Sequence, residues 1–111
     1  MELSEATAQD IQLELIRRSK FNEFNGERVY KDLMENRGLW RAVVFTRACD
    51  EIELVLRDLP ENEWLADMIL ILVDGDKVAR MLRIVKKWDA DVVKVIDCKY
   101  VNGKIIMAWW D

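Results

Sequence analysis

Asp97 and Lys99 lie two residues apart in the segment VIDCKY, residues 95–100. The surrounding run VVKVIDCKYV, residues 92–101, is rich in β-branched residues and predicts a strand. Side chains two apart on a strand share one face, so the two charges would be neighbours. An acid and a lysine in this arrangement form half of a site for Mg²⁺-dependent cleavage of phosphodiesters. The same arrangement is also an ordinary ion pair on a solvated sheet face.

The triplet Asp97-Cys98-Lys99 resembles the acid-x-lysine part of the motif of the PD-(D/E)xK nucleases. In that family a second acid, on an adjacent strand of the same core, completes the metal site. The nearest acids upstream of the local segment are Asp74 and Asp76, which a whole predicted helix separates from the triplet, and no Pro-Asp pair precedes them. The sequence therefore favours a solvated ion pair and predicts no catalytic residue, metal or cofactor.

Asp74-Gly75-Asp76 follows a strongly apolar predicted strand and precedes a predicted helix. In open α/β sheets ligands bind at the carboxyl ends of central strands, which makes Asp74 and Asp76 candidate ligand-binding residues. A phosphate is a poor fit, since one glycine exposes few backbone amides and two carboxylates repel an anion. Two acids could hold Mg²⁺, but helix capping and turn formation explain both without a ligand.

The remaining reactive side chains give weak signals. The chain has no histidine, which excludes Ser-His and Cys-His nucleophiles and most zinc sites. Cys49 could lie at a helix amino terminus, but a phosphatase would need an arginine where Val55 stands, and a structural cysteine is favoured. A basic helix face could meet an acidic partner or simply face water; it comprises Lys77, Arg80, Arg83 and Lys87.

Size and charge set the broad class. The 111 residues are enough for a single domain, 1–111, and the net charge of −4 provides no global attraction to nucleic acid or to an anionic membrane. No apolar run approaches a membrane span, and Met1–Asp10 is acidic where a signal peptide would be basic and then apolar. These features predict a cytoplasmic protein without nucleic acid or membrane partners.

Helical periodicity predicts two amino-terminal helices. Thr7 is positioned to cap a helix that runs to about Lys20. Asn25 is positioned to cap a second helix, which Gly38 would end as a left-handed residue. A third helix over 76–88 has an apolar stripe formed by Val78, Met81, Leu82, Val85 and Trp88.

Strand signals fill the rest of the chain: 39–47, the continuous apolar run 68–73, 92–101 and 104–110. Residues 51–59 fit a strand or a helix, and we favour a strand. The strand at 68–73, the helix and the strand at 92–101 predict a βαβ unit with parallel strands. The predicted fold class is α+β: two amino-terminal helices packed on a mixed sheet of four or five strands, with a carboxyl-terminal Asn-Gly hairpin.

A two-residue turn at Asn102-Gly103 would pair Val101 with Lys104 and Asp97 with Ala108. One face of the hairpin is then almost wholly apolar and is the predicted core: Ile96, Cys98, Tyr100, Ile105, Met107 and Trp109. The other face leaves Ile106 and Trp110 as candidate interface residues, unless the amino-terminal helices cover them.

The five tryptophans are many for this length, and adjacent Trp109 and Trp110 must point to opposite sides of the sheet. An exposed tryptophan suggests association. We therefore expect a non-enzymatic, acidic protein-interaction or regulatory domain, analogous to immunity or antitoxin-like accessory proteins, that binds a protein partner or forms a homodimer. The alternatives are a small-ligand-binding domain near Asp74 and, third, a metal-dependent nuclease. A pocket beside Asp74 would favour ligand binding, whereas a flat apolar face would favour interaction.

Overall fold

The computed structural model describes residues 2–48 and 52–111. In this part of the chain the helices are α1 (Ala8–Arg18), α2 (Gly26–Glu35), α3 (Ile52–Asp58) and α4 (Val78–Val85). The strands are β1 (Lys20–Phe21), β2 (Phe24–Asn25), β3 (Ala42–Thr46), β4 (Met68–Val73), β5 (Val92–Asp97) and β6 (Lys104–Trp109). The predicted α+β class is confirmed. None of the described helices has the length and apolarity that a membrane span requires.

Side-chain caps begin the first two helices. The Thr7 hydroxyl accepts from Asp10 N–H at 3.0 Å, and the Asp10 carboxylate accepts from Thr7 N–H at 2.9 Å. The Asn25 side chain accepts from Arg28 N–H at 3.3 Å. These bonds confirm both predicted caps, which were predictable because a cap depends on local sequence. The prediction for Gly38 is wrong: α2 ends at Glu35, and Gly38 lies in a following 3₁₀ turn without a positive φ.

The predicted mixed sheet is wrong in its pairing. The four-stranded sheet has the order β3-β4-β6-β5, and each of its neighbouring pairs is antiparallel. Since β4 and β5 both run antiparallel to β6, they are parallel to each other, as the βαβ pattern predicts, with α4 between them in the chain. They are not neighbours, because the last strand inserts between them and bonds to both.

The segment 51–59 is a helix from Ile52, so our preference for a strand there is wrong. The alternation of Ile52, Leu54 and Leu56 had indicated a strand, while the spacing of Ile52, Val55, Leu56 and Leu59 fits the helix that is found. No residue of α3 is buried, and Ile52 and Leu56 are 66% and 60% exposed. Leu54 and Val55 are half-buried, so the described chain covers α3 only in part. Cys49 lies outside the described residues.

The hairpin is wider than predicted. β5 ends at Asp97, β6 begins at Lys104, and six residues connect them. Asp97 pairs with Lys104 in place of Ala108. Asn102 does not adopt the positive φ that a two-residue type I′ turn requires, while Gly103 has φ 113° and lies so close to β4 that a Cβ there would be 2.6 Å from Val73 O. The register shifts by four residues, an even number, so the side chains keep their predicted grouping by face.

The assignment of those faces to core and surface is reversed. Ile106, Ala108 and Trp110 are almost fully buried, whereas the predicted core residues Ile96 and Tyr100 are 41% and 95% exposed. The buried sheet face packs against residues of α1, α2 and α4. Its members are Val43, Phe45, Ile69, Ile71, Val73, Ile106, Ala108 and Trp110.

Candidate interaction surface

The two predicted interface residues lie in the core. Ile106 is 0% and Trp110 1% exposed, so the prediction that they form an exposed face is wrong. The Trp110 indole N–H donates to Trp88 O at 3.1 Å, and its ring meets Phe24 edge-on with centroids 4.7 Å apart. The amino-terminal helices cover this side of the sheet, which is the alternative that the sequence had left open.

The opposite side of the same sheet carries a second apolar surface, which we call the open face. The strand register aligns it as three rows across all four strands. Ten of its twelve side chains are apolar, the exceptions being Thr46 and Lys94. The rows are Ala42, Leu72, Ile105 and Ile96; then Val44, Leu70, Met107 and Lys94; then Thr46, Met68, Trp109 and Val92.

The open face lacks the covering layer that the other face has. Ile69 and Ile71 on β4 are 0% exposed, but their neighbours Leu70 and Leu72 are only half-buried. At the edges Val44 and Ile96 are 38% and 41% exposed. The open-face side chains lie outside the described hydrophobic core, which takes its helical residues from α1, α2 and α4. An antiparallel sheet usually shows polar side chains on such a face, so the apolar composition needs an explanation.

One end of the open face is held by Asp67. The Trp109 indole N–H donates to one carboxylate oxygen of Asp67 at 3.2 Å, and Ala48 N–H donates to the other at 2.9 Å. Backbone bonds add Asp67 N–H to Thr46 O at 3.0 Å and Trp110 N–H to Asp67 O at 2.9 Å. Asp67 thus connects the ends of β3, β4 and β6 and positions the largest side chain of the open face.

The outer edge of β3 is closed by glutamine side chains from α1. Gln9 donates to Val43 O at 2.8 Å and accepts from Val43 N–H at 2.9 Å. Gln12 accepts from Phe45 N–H at 2.8 Å. These bonds occupy the backbone groups through which another strand would pair, so the sheet cannot be extended at β3.

Further exposed apolar groups lie on segments that connect the strands. α3, which follows β3 in the chain, exposes Ile52 and Leu56, and Leu59 just after it lines a groove together with Leu15 of α1. Beyond the Ile96–Ile105 end, the 98–103 connection presents Tyr100, which is 95% exposed, together with Val101.

The candidate ligand residues Asp74 and Asp76 do not line a pocket. Asp74 forms surface ion pairs with Arg41 at 3.6 Å and Lys77 at 3.9 Å, and Asp76 is exposed. A groove of about 630 Å³ is lined elsewhere by residues of both charges and by Phe21 and Trp64, and neither aspartate lines it or a second groove of about 250 Å³. A ligand role for these aspartates stays a prediction.

Asp97 and Lys99 are not paired with each other. Asp97 accepts from Lys104 Nζ at 2.5 Å, which holds the pKa of its carboxyl below the usual value, and it is highly exposed. Lys99 lies in the connection after β5. Residues 2–48 and 52–111 contain no group of three or more acids and cysteines placed to hold a metal ion. The ion pair found crosses the hairpin from Asp97 to Lys104, so the predicted pairing of Asp97 with Lys99 along one strand is wrong, although Asp97 is a surface residue as expected.

Comparison with known proteins adds no relative: no family model, curated protein or solved structure matches the chain.

Proposed function

We propose that the protein is a non-enzymatic interaction domain, cytoplasmic and of regulatory or accessory type, whose open face binds a protein chain. The observation that supports this proposal is the apolar composition of the open face. Strands about 4.8 Å apart and residues about 3.3 Å apart give twelve positions a footprint of roughly 400 Å². Contiguous apolar patches of this size on a single chain are commonly functional.

The character of the surface favours a protein over a small ligand. Pockets for small molecules are concave and enclose most of the ligand. The open face is instead a regular sheet surface with one charged side chain, Lys94, at its edge strand. A pocket beside Asp74 lined by tryptophan or tyrosine would have favoured ligand binding, but Asp74 lines neither of the two grooves described above.

Site-specific photo-crosslinking tests this proposal. p-Benzoylphenylalanine is placed at Leu70, in the centre of the open face, and in a control at exposed Arg83 on α4. In cells that produce the protein, irradiation should give a discrete covalent adduct from position 70 and none from position 83. Equal labelling at both positions, or no adduct at position 70, would contradict the proposed function.

A further inference from the structure

We propose that the occupant of the open face is the open face of a second copy of this chain, stacked sheet on sheet about a two-fold axis. This inference rests on the proposed function, since it names the partner of the same surface. Two antiparallel sheets pack in this way at about 10 Å separation with their strands within about 30° of each other.

The width of the open face is the first argument. Four strands at about 4.8 Å span about 19 Å. An α-helix with its side chains is about 10–12 Å across, so one partner helix would leave two strands uncovered. A sheet of four strands has the required width, and the open face itself is a four-stranded surface of matching size and apolarity.

The area buried is the second argument. Two stacked faces of roughly 400 Å² each remove roughly 800 Å², while stable specific interfaces remove roughly 1,200–2,000 Å². The area estimated here is below that range, which is typical of weak, concentration-dependent contacts. We therefore expect a dimer that forms in the micromolar range.

The closed edge of β3 is the third argument. Gln9 and Gln12 occupy its outward backbone groups, so a second copy cannot add to the sheet at that edge. Stacking through the face leaves these bonds intact. A two-fold stack is also self-limiting, because each copy uses the same surface once.

The position of Lys94 distinguishes between two possible directions of the two-fold axis. With the axis perpendicular to the strands, β5 would lie over β5 of the second copy and the two Lys94 side chains would oppose each other. With the axis along the strands, β5 lies over β3, so Lys94 faces the short side chains Ala42 and Val44 and its ammonium group reaches solvent at the rim. We therefore place the axis along the strands.

Sedimentation equilibrium from about 1 to about 500 µM tests the proposed dimer by comparing lysine substitutions at two methionines, one on the open face and one away from it. Met107 is central to the open face, whereas Met34 is 44% exposed on α2. Wild type and Met34→Lys should both form a dimer of two 13.1-kDa chains. Met107→Lys, altered in both copies at once, should raise Kd at least roughly 100-fold while far-ultraviolet circular dichroism stays unchanged.

Lys94→Met supplies a test that does not depend on disrupting the sheet. Removing the single charge while keeping the apolar stem should lower the dimer Kd about 10-fold. If the occupant were instead an acidic partner, the same change would weaken binding.

A monomeric wild type at about 500 µM, equal effects of the two methionine variants, or weaker dimerisation in Lys94→Met would each overturn the proposed dimer. A crosslinked adduct at position 70 of a mass other than twice 13.1 kDa would also overturn it while leaving the proposed function standing.

Discussion

At the scale of single residues, the tryptophans show how an apparent binding signal can be structural. All five indole N–H groups donate within the chain, to Leu33 O, Phe45 O, Asp32, Asp67 and Trp88 O. A buried indole requires such an acceptor, and each one found here belongs to another part of the chain. Composition predicts that tryptophans need partners, but it does not predict whether the acceptor is internal.

Gly26 provides a prediction at this scale. It begins α2 directly against the end of α1, and a Cβ there would overlap the carbonyl oxygens of Ile16 and Ser19. Gly26→Ala should therefore lower the free energy of unfolding by about 3 kcal/mol or more, because backbone must move to relieve the overlap. Urea denaturation monitored by circular dichroism measures the loss.

Gly38→Ala is the matched control. A Cβ at Gly38 meets nothing within 4 Å, and its φ is not positive, so alanine there should change stability by less than about 0.5 kcal/mol or slightly increase it. Similar losses in both variants would show that the contact between α1 and α2 is not as close as described.

At the scale of elements, helix starts and the apolar stripe of α4 were predictable from local sequence, whereas the end of α2, the helix α3 and the strand pairing were not. The caps at Thr7 and Asn25 and the stripe of α4 depend on residues within one or two turns, and each was predictable. The hairpin register depends on Gly103 approaching Val73, which is distant in sequence. The insertion of β6 between β4 and β5 likewise requires knowledge of three strands at once.

The contact between α1 and β3 permits a prediction that separates two similar glutamines. Among the described residues, the Gln12 side chain accepts from Phe45 N–H and donates to none, whereas Gln9 both donates to and accepts from Val43. A carboxylate accepts but cannot donate. At pH 7, Gln12→Glu should therefore be nearly neutral, and Gln9→Glu should cost about 1–3 kcal/mol because its carboxylate faces Val43 O.

Chemical denaturation at pH 7 and at about pH 4 checks this pair of variants. Protonation of the new carboxyl at position 9 restores a hydrogen-bond donor, so the pKa of this carboxyl in the folded state should be raised above about 4.3. The loss in free energy of unfolding of Gln9→Glu should therefore become smaller as pH falls through that folded-state pKa. Equal costs for the two variants at pH 7 would mean that the hydrogen bonds to β3 are not made as described.

At the scale of the whole molecule, the sequence did not determine which side of the sheet is buried. Residues 105–110 are apolar on both faces, so alternation separates the two sets correctly without saying which one the helices cover. The same ambiguity is the basis of the proposed function. Because both faces are apolar, α1, α2 and α4 cover one of them and leave the other open to a partner.

A dimer formed through the open face predicts that thermal stability depends on protein concentration. When two folded chains bind each other, unfolding also dissociates them, and mass action raises Tm as concentration rises. An unfolding enthalpy of about 0.7 kcal/mol per residue, taken over two chains, gives an increase of about 3 °C per tenfold concentration. Met34→Lys should keep this slope, whereas Met107→Lys should lose it and melt at a constant, lower temperature. Scanning calorimetry over a hundredfold concentration range measures the slope, and a wild-type Tm independent of concentration would contradict a folded dimer.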